Sequence, residues 1–223
     1  MGVQGDLEKF LDSLRFGESV IVEYSPDSYA ADFWVLLLKR YAEERGHEFL
    51  VDDNLDSLYV ASEHLRFFGI PDPFKDAVVV KTGGVVEVGN VARKIKLEIE
   101  PSIYLKRYED ASREVFSQGG KFINAVLGLE KLFAFLQGYR GFYEMISSIE
   151  RFMGNPSRKA FYFMDVEVVR TLPMNPLPYL ERIATTIVDI RMENERIKGF
   201  VRKSPSTGFV GWEVEMPISK LIQ

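Results

Sequence analysis

From Gly17 to Phe33 the chain reads Gly-Glu-Ser-Val-Ile-Val-Glu-Tyr-Ser-Pro-Asp-Ser-Tyr-Ala-Ala-Asp-Phe, the layout of a strand, a loop and the start of a helix. A phosphate-binding loop would sit here, and the motif G-x-x-x-x-G-K-[ST] can be laid over the segment from Tyr24 onward. That chemistry needs glycines so that backbone N–H groups can close round an anion. It also needs a Lys to neutralise the transferring group and a hydroxyl to hold magnesium. On this register Tyr24 and Tyr29 take the glycine places, Ala30 the lysine and Ala31 the hydroxyl. Tyrosine lacks the backbone freedom of glycine. Within Ser25 to Ala31 the only charge is Asp27, and Asp32 follows it, so negative charge lies where phosphate would rest. The expected site keeps the outline of a phosphate cradle and repels phosphate. Ser28 is read as the N-cap of the following helix, because its short hydroxyl can accept from backbone N–H groups.

Other chemistry finds less support. His47 and His64 are the only histidines, and acids are their only neighbours of ligand type at helical spacing, so no metal centre is expected. No G-x-S-x-G elbow is present for a serine nucleophile. The absence of Cys excludes disulfides, thiolate catalysis and cysteine-held zinc or iron–sulfur groups. Gly83-Gly84 reads as a hairpin turn, and Gly119-Gly120 precedes a strand rather than a helix, so neither resembles an anion loop. Arg93-Lys94, Lys106-Arg107 and Arg202-Lys203 could follow a nucleic-acid backbone, with Phe200, Phe209 and Trp212 as stacking platforms. A solvated edge is the simpler reading, and a net charge of -5 argues against a phosphate-rich partner.

The elements that would position these residues follow from hydrophobic period. Leu7, Phe10, Leu11 and Leu14 form one stripe of an N-terminal helix, and Val20–Val22 a buried strand. Phe33, Leu36, Leu37 and Tyr41 recur as a second helix, Glu48–Val51 as a second strand, and Leu55 to Phe68 as a third helix ending near Gly69 and Pro71. Ala77–Val80 is a third strand, with Val85–Val88 expected to return beside it as a hairpin. Helix is expected over Glu109–Phe116, Glu130–Leu136 and Phe142–Phe152, with strands over Phe122–Leu127 and Ala160–Met164. A Pro-rich loop and a helix over Tyr179–Ile183 lead to three closing β runs, Thr186–Ile190, Ile197–Val201 and Phe209–Val214. This alternation predicts an α/β fold with a mostly parallel sheet and an antiparallel tail.

The order of pieces resembles the RecA-like ATPase core, and within it the KaiC-type branch. The likeness rests on Gly17, the loop Ser25–Ala31, Gly46, the pair Asp52-Asp53, and the late segments Leu180–Ile190 and Ile197–Pro205. The whole is also similar to a family of uncharacterised archaeal proteins regarded as degenerate members of that superfamily. The resemblance implies a three-layer fold with nucleotide bound between subunits. It places paired, water-activating glutamates where this chain has Asp52 and Asp53, and a metal-orienting Asp at the end of the strand Ile123–Val126, where this chain has Leu127 and Gly128. With the phosphate-binding groups gone, Asp52 and Asp53 are read as an acidic strand-end loop capping the helix after Asn54.

A chain of 223 residues with 46% apolar residues and 17 Phe suits one globular domain. The expected division is a helix over 1–16, a core over 17–190 and a β extension over 191–223. No apolar run is long enough to span a bilayer, and the N-terminus lacks a leader pattern, so a cytoplasmic protein is expected. The reading from sequence is a pseudo-ATPase with no cofactor or metal, interacting with itself or with another protein. A nucleic-acid or small-anion binder is the second reading. An enzyme using Asp52 and Asp53 in the old crevice is the third.

Overall fold

The computed structural model describes residues 3–98 and 100–222; Met1 and Gly2, part of the segment read for a leader, lie outside the described residues. In chain order the elements are α1 (Val3–Ser13), β1 (Ser19–Tyr24), α2 (Ala30–Glu44), β2 (Glu48–Asn54), α3 (Ser57–Phe67), β3 (Val78–Thr82) and β4 (Asn90–Ile95). Then come α4 (Pro101–Ser117), β5 (Phe122–Leu127), α5 (Leu129–Ala134), α6 (Gly138–Arg151), β6 (Arg158–Asp165), α7 (Val166–Thr171) and α8 (Leu177–Ile183). The chain closes with β7 (Thr186–Glu193), β8 (Arg196–Lys203), β9 (Glu213–Pro217) and α9 (Ser219–Ile222). One nine-stranded sheet runs in the order β4-β3-β2-β5-β6-β1-β7-β8-β9. Its first seven strands are parallel, and β8 and β9 join antiparallel. The expected α/β architecture and antiparallel tail are therefore present, and residue 190 falls inside β7 rather than at its end.

The strand period of two sends neighbouring residues to opposite faces, which builds two cores. Val20 and Val22 join Phe10, Phe33, Leu58 and Val188 on one face, whereas Ile21 joins Leu105, Met145, Ile146 and Leu180 on the other. Helices cover both faces, as a parallel sheet requires. Because α2 is buried on several sides through Phe33 to Leu38, its apolar stripe is wider than the sequence period alone shows.

Connections set the functional geometry. From β1 the chain leaves through α2 towards β2, while from β6, beside β1, it leaves through α7 and α8 towards β7 on the other side. Adjacent strands whose connections depart in opposite directions open a crevice at their carboxyl ends, the usual ligand position in such sheets.

Two expectations are corrected, and one helix is added. Val85–Val88 do not form a hairpin: residues 83–89 cross back without a helix, and β4 pairs parallel to β3, Val78 opposite Asn90. The Asp56 carboxylate accepts from Val85 N (2.9 Å) and Val86 N (3.0 Å) and so holds the crossover over the end of the sheet. Gly84 suits this turn because its φ of 71° favours glycine and a Cβ would stand 2.3 Å from Asp56 Oδ1, displacing the carboxylate that holds the crossover. The last strand begins at Glu213, and Phe209 belongs instead to a short 3-10 turn over Thr207–Phe209. Phe209 and Trp212 both pack on Phe10 of α1, at 5.6 Å between ring centroids, so aromatic contact outweighs strand propensity there. Helix α7 was missed because the run Val166–Thr171 has strand-like composition; Asp165 caps it through Glu167 N and Val168 N.

The two edge strands carry opposite charge: Arg93 and Lys94 on β4, Glu213 and Glu215 on β9. Phe10→Ala removes the ring that joins α1 to the tail, so a loss of about 3–5 kcal/mol is expected in denaturant unfolding, with red-shifted Trp212 emission. A loss below about 1 kcal/mol would show that α1 is not part of the folded core.

Candidate functional site

The crevice lies where β1, β5 and β6 end, and its residues come from the loops that follow. Tyr24, the last residue of β1, pairs in register with Asp165, the last of β6. Burial first, and then the charges of Glu130, Asp165 and Asp32, push the Tyr24 phenol far above its ordinary range. It stays a neutral hydroxyl. Tyr29, not Ser28, is the N-cap of α2, and no side chain caps that helix. Its ring stands edge-on to His64 and Phe68, with centroids 5.1 and 5.0 Å apart. Aromatic packing has taken the place that a flexible glycine would need. Ala30 is wholly buried and Ala31 half-buried, so neither helical position offers a charge or an oxygen. Ser25 is half-buried and Asp27 exposed.

Asp32, in the first turn of α2, meets His64 Nδ1 at 2.8 Å. Burial raises the Asp32 carboxyl to about 6 against the opposing pull of His64. Beyond Leu127, Gly128 turns with φ of 70°, and a Cβ there would stand 2.5 Å from Asn54 O. The next turn buries Glu130, whose carboxyl is raised to about 7 chiefly by desolvation and whose Oε2 has no hydrogen-bond partner. Lys131 turns away and donates to Ser57 Oγ at 2.8 Å. The crevice thus holds two tyrosines and three carboxyl groups, and among the described residues no group of three or more His, Asp or Glu has metal-binding geometry.

Asp52 and Asp53 do not form a strand-end loop. Both lie inside β2, almost fully buried, and being consecutive they face opposite sides of the sheet. Asp53 does cap α3, accepting from Leu58 N at 2.9 Å, and it binds Lys81 Nζ at 2.8 Å. Lys81 also donates to Asp56 at 2.6 Å. Burial disfavours the ammonium, but its bonds to Asp53 and Asp56 hold its pKa above the ordinary value. Asp52 accepts from Asn124 Nδ2 at 3.0 Å and lies 3.9 Å from Arg158 Nη1. Burial raises its carboxyl, while Arg158 and Asn124 lower it. Two carboxylates on opposite faces cannot act on one substrate.

Five of the six residues in the basic pairs are committed elsewhere. Arg93 pairs with Glu114, Lys94 with Glu87 and Arg107 with Glu98. Arg202 is ringed by Glu23, Glu181 and Asp189, and Lys203 donates to Glu181 O. The guanidinium reaches Glu23 Oε1 at 2.5 Å without hydrogen-bond alignment, and desolvation raises Glu23 to about 7. The sequence reading missed Glu130, Asp165, Lys81 and Arg158. A cation closing the apolar run Val78–Val80 was the available sign for Lys81; Glu130 had none.

Residues 9–215 match the family model described as "Pyrococcus protein of unknown function, DUF257". The chain belongs to the DUF257 family. A solved Pyrococcus horikoshii OT3 protein, PH0250, is similar over 95% of this chain and 96% of its own, with 26% identity and a TM-score of 0.74. The KaiC-like protein PH0186 of the same organism matches at 12% identity and a TM-score of 0.60, over 91% of this chain and 86% of its own. The uncharacterised protein PH0321, also from P. horikoshii and solved in complex with an unknown peptide, matches at 13% and 0.60 over 92% of each chain. No curated protein matches significantly. The RecA/KaiC-like fold read from the sequence is thereby established for this DUF257 member. Among the described residues no helix is long and apolar enough to cross a membrane.

The raised carboxyls give the DUF257 fold a specific pH response. Glu130 has a folded pKa of about 7 against an ordinary value of 4.5, so the folded state holds its proton more tightly than the unfolded state. Its contribution is complete below about pH 4.5 and is lost as pH rises through about 7. Glu130→Gln should therefore leave stability at pH 4 unchanged and raise it at pH 8 by up to about 3 kcal/mol, measured by urea unfolding at both pH values. Lys81→Met should cost about 3–5 kcal/mol because Asp53 is left buried and unpaired; a change under about 1 kcal/mol would show the pair to be dispensable.

Proposed function

We propose that this protein is a non-catalytic, pseudo-ATPase form of the RecA/KaiC-like fold that works as an interaction module for a second copy or another protein. The observation that carries this reading is the content of the β1/β6 crevice. Tyr24, Tyr29, Ala30 and Ala31 stand where phosphate would need glycines, a cation and a hydroxyl, and Asp32, Glu130 and Asp165 add acid to a space that a polyphosphate would have to share. Loss of a single transition-state cation already costs roughly 10³–10⁵ in phosphoryl-transfer rate.

An exposed aromatic group supports the interaction role. The Tyr143 and Tyr179 rings pack edge-to-face at 5.9 Å with hydroxyls 3.4 Å apart, yet both remain more than 40% exposed, and Tyr139 beside them is 74% exposed. Tyrosines at low conformational cost are favoured anchors of protein interfaces. PH0321, which shares the fold, was solved with a peptide bound. The nucleic-acid alternative loses support because Arg93, Lys94, Arg107 and Arg202 are paired with acids and two of its three stacking rings pack on Phe10. The enzymatic alternative loses support from the opposed faces of Asp52 and Asp53.

A thermal-shift titration with magnesium and ATP, ADP or GTP should leave Tm unchanged, since a ligand selective for the folded state must raise it. An increase of several degrees with any of them would overturn the reading. Light scattering supplies the mass, and Tyr143→Glu with Tyr179→Glu should abolish whatever association the unaltered chain shows.

A further inference from the structure

Between the sheet and helices α4 and α6 lies a cavity of about 40 Å³, on the face away from α2 and so apart from the β1/β6 crevice. Its wall is largely apolar, formed among others by Leu129, Leu132, Met145 and Ile149. Asp52 and Tyr104 also line it, and they are 3% and 2% exposed. Asp52 Oδ1 and the Tyr104 hydroxyl have no hydrogen-bond partner, although Asp52 Oδ2 is occupied by Asn124. The nearby Tyr108 hydroxyl lowers the carboxyl's pKa without bonding to Oδ1. Buried polar atoms are almost always satisfied, and leaving one unpaired is costly. A largely apolar space lined by two residues with buried, unsatisfied polar atoms has the composition of a small-molecule site.

We propose that this cavity binds a small aliphatic alcohol of about three to five non-hydrogen atoms, its hydroxyl bridging Asp52 Oδ1 and Tyr104 and its carbons lying against Leu129, Met145 and Ile149. The alcohol O–H donates to Asp52 Oδ1, and the Tyr104 hydroxyl donates to the alcohol oxygen, so both orphaned atoms are satisfied. Water could supply the same hydroxyl but would leave the aliphatic wall without contact.

The test is a titration of the full chain, labelled with ¹³C-methyl Met, with ethanol, the Met145 signal being assigned through Met145→Leu. Met145 should shift saturably. Tyr104→Phe should weaken ethanol about 3–10-fold while leaving xenon, an apolar probe of the same space, unaffected. An absent Met145 shift, or equal ethanol affinity in the variant, would overturn the site. Should Tyr104→Phe not fold, a crystal of the unaltered protein soaked in ethanol decides. An ethanol oxygen about 2.5–3.0 Å from Asp52 Oδ1 supports the proposal, whereas water alone at that position overturns it. None of these outcomes depends on whether the chain is an interaction module.

Discussion

Two cations with almost no access to solvent, Lys81 and Arg158, hold the sheet's carboxylates in place. Isolated in an apolar interior either charge would be prohibitively costly, so each must meet an acid or a fixed dipole. Lys81 ties β3 to β2 through Asp53 and reaches Asp56, which in turn fastens the crossover to β4. Arg158 ties β6 to β5 through Asn124, to Tyr162 on its own strand, and across to Asp52. The period of two in β2 makes both arrangements possible, because it sends Asp52 to one network and Asp53 to the other. Residues that might have been chemical partners are thereby separated by the thickness of the sheet.

The crevice at the ends of β1 and β6 is governed by the same desolvation. Glu130 is buried with Oε2 unpartnered and Asp32 is largely buried beside His64, and desolvation raises both carboxyls towards neutrality near physiological pH. Tyr29 packs edge-on against His64 and Phe68 on the side of α3. In a fold shared with a KaiC-like protein, the crevice of this chain is aromatic and acidic.

Much of this was legible in the residues. The strands β1, β2, β5 and β6 follow from short β-branched or aromatic runs, and Tyr24, Ala30, Ala31 and Leu127 stand at the strand and helix ends where the register placed them. What the sequence hid depended on partners far along the chain. Ser28 has the right chemistry for a cap, but the helix begins one residue later, at the packed ring of Tyr29. The Gly83-Gly84 turn signal was real, yet Asp56, in a left-handed conformation distant in sequence, redirects the chain that leaves it. Glu130 carries no local mark of burial because its environment is assembled from β1, β6 and α2.

The oppositely charged outer strands bear on how this molecule meets others. An unprotected strand margin is a template for adding another chain's backbone, and charged side chains or proline on it oppose such addition. Arg93 and Lys94 guard one margin, and Glu213, Glu215 and Pro217 guard the other. Main-chain pairing is discouraged at both ends, which leaves the helical faces as the surfaces where a contact would not seed fibrous growth.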